Sequence, residues 1–126
     1  MGGEEVLALQ HLVRELPASD PILRYAAALA QATRPGRADA PALVKEYVRW
    51  GAGPRAGQAL ILGAKAHALI DGRHTVAPED IRRVAHPVLR HRVLVNYAAE
   101  AEGITTEQVI EAILSHVPAP SSKLSL

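Results

Sequence analysis

The chain has 126 residues, a net charge of +1, no cysteine and no phenylalanine. One domain of near-neutral charge has no general pull toward polyanions, and the missing cysteines exclude disulfides and thiolate metal sites. No apolar run approaches the ~20 residues of a membrane helix, and Met1-Gly2-Gly3 lacks the parts of a secretory signal. The expectation is a protein of the reducing cytoplasm, with a core of Ala, Leu, Val and Ile, of which Ala and Leu favour helix.

In chain order, Met1-Gly2-Gly3 reads as a cloning scar. Val6, Leu9, Val13 and Leu16 then recur at helical spacing over residues 4–16, and Pro17 stops that helix. Ser19 or Asp20 caps a second helix with Pro21 at its start and Ile22, Ala26, Leu29 and Thr33 on its inner face; Pro35-Gly36 ends it. Pro41 opens a short third helix with the face Leu43, Val44, Tyr47 and Val48. Gly51 terminates it, and Tyr47 and Trp50 hold it to the core. A fourth helix runs from Pro54 to about Asp71, presenting Leu60, Ile61, Ala64 and Ala68 before the Asp71-Gly72 turn. Thr75-Val76 is extended. Pro78-Glu79-Asp80 begins a fifth helix, with acids suited to its first turn and Ile81, Val84 and Ala85 inward; Pro87 breaks it near His86. Val93-Leu94-Val95 is a short strand or an irregular packed segment, which periodicity does not decide, and whether it pairs with Thr75-Val76 is equally open. Thr105 with Gln108 fits a capping box for the last helix, whose face is Val109, Ile110, Ile113, Leu114 and Val117. Residues 118–126 have the composition of a linker or disordered tail. The fold class is all-α: a bundle of about five to six helices, with room for one very small two-stranded β element.

The stretch with most chemical content is Trp50-Gly51-Ala52-Gly53-Pro54-Arg55-Ala56. Pro54 suits the first helical position, which sets Arg55 in the first turn, among unpaired backbone N–H groups at the positive end of the helix dipole. A cation there is unfavourable for the helix, and a bound anion, phosphate above all, recovers the cost. From helix position alone, a surface arginine paired with a nearby acid is the plainer reading.

With Ala32-Thr33-Arg34-Pro35 upstream, and Val76-Ala77-Pro78-Glu79-Asp80-Ile81 and Val88-Leu89-Arg90-His91-Arg92 downstream, the order and spacing resemble the C-terminal helical lid of a MoxR-type AAA+ ATPase over residues 4–117. The resemblance implies that Arg55 is the sensor-2 arginine, the catalytic residue of this piece, reaching the γ-phosphate of ATP held by the neighbouring α/β domain, with Gly53 and Pro54 shaping the nucleotide-binding element. It implies ATP and magnesium as cofactors of the full-length enzyme. The implied partners are the N-terminal α/β domain, neighbouring subunits of a ring and proteins bearing von Willebrand factor A domains, and the implied work is chaperone-like remodelling. The family usually has serine at Gly53, a loss of only a few tenths of a kcal/mol as a cap. No Gly-x-x-x-x-Gly-Lys-Ser/Thr and no apolar strand ending in acids is present, so this chain alone is expected to be inert and to bind no nucleotide tightly. The reading expects the α/β domain upstream of Glu4.

Other constellations carry less. The glycines at 51, 53 and 57 do not fit a dinucleotide loop, because position 56 is Ala and no strand is read before them. No histidine spacing suits zinc. Arg82, Arg83, His86, Arg90, His91 and Arg92 form a basic segment with three readings. It is a solvated helix face, or, in a stand-alone helical adaptor, the surface for an acidic protein or nucleic acid, or (from the resemblance) Arg90-His91-Arg92 touch the α/β domain or an adjacent subunit. Near-zero net charge and the lack of interleaved aromatics argue against nucleic acid.

Overall fold

The computed structural model describes residues 15–120. The expected helix over residues 4–16, the scar at 1–3 and the tail beyond 120 therefore lie outside the described residues, except that Leu16 is buried at the edge of the core. Among the described residues there are six helices and one two-stranded sheet: α1 (Asp20–Ala32), α2 (Ala42–Tyr47), β1 (Val48–Trp50), α3 (Ala56–Ile70), α4 (Pro78–Leu89), β2 (Leu94–Val95), α5 (Tyr97–Glu102) and α6 (Thr106–His116). No described helix is long and apolar enough to cross a membrane.

The apolar faces read from the sequence meet at one core. Leu29 of α1, Leu60 of α3, Ile81 and Leu89 of α4, and Ile110 and Ile113 of α6 are fully buried. The central element is α3, which packs most extensively on α4 and next on α1, while α2 lies against α6. Small residues permit the close α3–α4 approach: a Cβ on Gly63 would already stand 3.4 Å from Val84, and Ala64 and Ala68 are completely covered. The Thr105 capping box forms as expected, with Gln108 N–H donating to Thr105 Oγ1 at 3.2 Å and Thr105 N–H to Gln108 Oε1 at 2.8 Å.

Several boundaries differ from the sequence reading. The third helix ends at Tyr47, so neither Gly51 nor Gly53 breaks it; Val48–Trp50 turns into a strand. β1 pairs antiparallel with β2, Val48 opposite Val95 and Trp50 opposite Leu94, so the partner of the 93–95 segment is not Thr75-Val76. Trp50 is 63% exposed on that sheet rather than in the core, whereas Tyr47 is buried. Pro87 lies inside α4, which runs on to Leu89. The ladder resumes after it with Arg90 N–H donating to the His86 carbonyl at 2.8 Å, and a proline in the last turn forfeits too little to end the helix. α5 was not read from the sequence. Asn96 caps it, its Oδ1 accepting from Ala99 N–H at 3.0 Å, and Gly103 closes it with φ +74°, where a side chain would be strained.

Candidate functional site

Arg55 sits one step earlier than expected. Pro54 and Arg55 form a turn, Ala56 N–H bonding the Gly53 carbonyl at 3.0 Å, and α3 begins at Ala56 with Arg55 as its N-cap. The Arg55 carbonyl accepts the bond from Ala59 N–H at 3.0 Å. Its side chain is exposed, and no ion pair or hydrogen bond holds it among the described residues. The paired-surface-arginine reading thus finds no acid to support it.

The loop carrying Arg55 is held from below. Thr33, at the end of α1 and with no exposed surface, donates its hydroxyl to the Ala30 carbonyl at 2.6 Å and accepts Ala52 N–H at 2.8 Å. Ala52 is itself buried, so this bond satisfies an N–H that would otherwise be costly to desolvate. Directly before it, Gly51 lies so close to α1 that a Cβ would stand 2.5 Å from the Thr33 carbonyl oxygen. Gly51 is therefore a close-approach residue, and the Ala32-Thr33-Arg34-Pro35 element is the bed on which the Arg55 loop rests. Sequence reasoning put Thr33 on an inner face but missed this role. The signal was a lone threonine among the apolar inner residues of α1.

Gly53, Pro54, Arg55, Ala56 and Arg92 line a depression of about 450 Å³. A larger groove of about 530 Å³ between α1 and α3, with Leu23, Ala27, Ile61 and Leu62 in its lining, shares Pro54 with it. That groove also has Arg34 and Lys65 in its lining, while Arg55 and Arg92 are the charged residues of the smaller depression.

The basic segment is dispersed by the fold. Arg82 is an internal strut, donating to Tyr25 Oη at 3.3 Å and the Leu114 carbonyl at 3.2 Å. Arg83 pairs with Glu79 at 3.4 Å. His86 stands between Glu107 and Glu111, and Arg90 pairs with Glu107, whose carboxyl is held below its usual range first by Arg90 and also by His86. His91 and Arg92 are exposed, and Arg92 donates to the Val88 carbonyl at 2.7 Å. Five of the six basic side chains thus bond within the domain, three of them to carboxylates, which disperses the cationic face that an acidic or nucleic-acid partner would need.

One buried charge is structural. Asp80, at the third position of α4 and without exposed surface, accepts the Ala77 N–H at 2.7 Å and both Arg73 guanidinium nitrogens, with His67 Nδ1 at 2.7 Å. Burial pushes this carboxyl up, but Arg73, the Ala77 N–H and His67 together bring it below the usual carboxylate range. Ala77 has no side-chain acceptor, so only half a capping box exists here. Among the described residues no group of acids and histidines could hold a metal ion.

The family model described as "AAA lid domain" matches residues 40–113. The protein named Chaperone MoxR1 of Mycobacterium tuberculosis is 43% identical over 77 residues, covering 61% of this chain and 20% of that protein. Protein MoxR of Paracoccus denitrificans is 33% identical over 110 residues, covering 83% of this chain and 32% of its own length. A crystal structure of a protein assigned as an ATPase, from Cytophaga hutchinsonii, superposes with a TM-score of 0.81 at 38% identity, over 88% of this chain and 34% of that one. The chain thus spans about a third or less of the proteins it matches.

Proposed function

The chain belongs to the AAA lid domain family, in the form found in MoxR-type AAA+ ATPases, and on that premise we propose that Arg55 is its nucleotide-sensing residue, the sensor-2 arginine. The supporting observation is a guanidinium that is exposed and free of acid partners among the described residues, on a loop pinned to α1 by the Thr33–Ala52 bond. Loop order matters because a pinned backbone leaves only side-chain freedom to be lost when the guanidinium meets an anion. The donor set fits a terminal phosphoryl group: guanidinium N–H groups can bind two oxygens at once, and no acidic side chain lines the depression.

In this reading a neighbouring α/β domain of the same protein grips ATP and magnesium. ATP supplies the γ-phosphate; its attraction for Arg55 ties lid position to nucleotide state, and loss of that group on hydrolysis releases the tie. Gly53 has no side chain to oppose the approach, and Pro54 fixes the turn that presents Arg55. Domains 4–117 and 118–126 are then lid and linker. Coupling to neighbouring ring subunits, remodelling of client proteins, partners with von Willebrand factor A domains and a cytoplasmic setting complete the proposal.

The test is Arg55→Ala in the full-length protein. ATP turnover should fall about tenfold or more, as for loss of one pre-positioned donor at a site of developing charge, while ADP affinity changes little. Unchanged turnover removes the sensor assignment.

A further inference from the structure

We infer that Arg92 is a second phosphate-binding residue, working with Arg55 in the same depression; this rests on the sensor reading of Arg55. The two arginines lie 37 positions apart, and the small sheet brings them together. Because β1 and β2 run antiparallel with Trp50 opposite Leu94, the residues that follow Trp50 travel alongside those that precede Leu94. Arg55 and Arg92 consequently emerge at one end of the sheet and both line the 450 Å³ depression.

Three further observations favour an anion between them. The lining holds two cations and no acid: Gly53, Pro54, Arg55, Ala56 and Arg92. Neither cation here has a carboxylate partner among the described residues, whereas Arg37, Arg73, Arg83 and Arg90 each do. Arg92 is also oriented, since its Nη1 donates to the Val88 carbonyl at 2.7 Å and its own N–H to the Leu89 carbonyl at 2.9 Å. One of its five N–H donors is thereby used and the rest remain for a ligand. Two like charges that face one cavity repel unless an anion sits between them.

The ligand class is a polyphosphate, whose neighbouring phosphoryl groups can engage both guanidiniums. The sequence reading grouped Arg92 with Arg90 and His91 as one contact surface. The fold separates them, because Arg90 is tied to Glu107 on α6 while Arg92 lines the depression with Arg55.

The experiment is a nuclear magnetic resonance titration of the 126-residue chain with inorganic tripolyphosphate at low ionic strength, following the arginine Nε–Hε signals. Wild type should bind weakly, with Arg55 and Arg92 signals moving together. Arg92→Ala and Arg55→Ala should each weaken binding about fivefold, the scale of one solvent-screened charge-assisted contact, and Arg92→Lys should recover part of the loss. Arg83→Ala serves as the remote control and should change nothing. Backbone amide spectra confirm that each variant is folded.

If Arg55→Ala weakens binding and Arg92→Ala does not, the role of Arg92 is refuted and the Arg55 reading stands. If only Arg92→Ala weakens binding, the Arg55 reading fails and takes this inference with it. An absence of binding by wild type, or an equal response to a glutamate-rich peptide of matched charge, overturns the polyphosphate assignment.

Discussion

Replacing Gly51 with alanine tests how the Arg55 loop is held. The added Cβ would stand 2.5 Å from the Thr33 carbonyl oxygen, 2.8 Å from its carbonyl carbon and 2.9 Å from Arg34 Cα. All three are backbone atoms, so no side chain can swing aside and the loop itself must lift. Overpacking of this kind costs about 1–3 kcal/mol. Lifting also stretches the 2.8 Å bond from Ala52 N–H to Thr33 Oγ1, and a buried N–H left without an acceptor costs about 1–3 kcal/mol more. Against this, alanine restricts the unfolded chain and returns about 0.4–1 kcal/mol. The net loss should be about 3 kcal/mol, read as a lower midpoint in urea unfolding followed by circular dichroism, or as a melting temperature lower by about 9–15 °C for a chain of this size. Gly53→Ala is the matched control, because a Cβ there meets nothing within 4 Å; it should be neutral or slightly stabilising. A Gly51→Ala loss below about 0.5 kcal/mol, the level of an ordinary surface substitution, or an equal loss from Gly53→Ala, would show that close approach to α1 does not hold this loop.

Thr33→Val keeps the shape of the side chain but removes the acceptor for Ala52 N–H, and should cost about 1–3 kcal/mol by the same unfolding assay, whereas Thr33→Ser should retain most of that. Asp80 predicts an acid limb in stability. Its folded carboxyl titrates below its ordinary value, so the unfolded chain takes up the proton first; the stabilisation is complete above about pH 4 and is lost as pH falls through the lower, folded value. Asp80→Asn should be less stable at neutral pH and lose this part of the pH dependence; an unchanged acid limb by thermal melts would remove Asp80 as its source.

Helix faces were legible wherever the apolar period was long, as in Ile22-Ala26-Leu29-Thr33 and Val109-Ile110-Ile113-Leu114, because burial selects those positions directly. The short elements were not. Val48 extends the helical spacing of Val44 and Tyr47, so β1 looked like more helix; what makes it a strand is β2, more than forty residues later, and no local pattern carries that. α5 is six residues long, too short for a period. The motif around Arg55 was readable from its neighbours, but the bed beneath it was not, because Thr33 and Gly51 act through a contact that only the folded chain contains. The readings of the basic segment stayed open for the same reason: its charges look alike in sequence and are sorted by Glu79 on their own helix, by acids on α6 and by backbone carbonyls.

The hydroxyl beneath Ala52 has a mechanical consequence. It fastens the loop to the first helix of the described domain, and the glycine before it leaves no slack. A pivot at residues 51–52 would have to break that fastening. The backbone at 51–52 therefore follows any displacement of the first helix, and the freedom left to the Arg55 guanidinium lies beyond that point, in the exposed Gly53-Pro54 turn and in its own side chain.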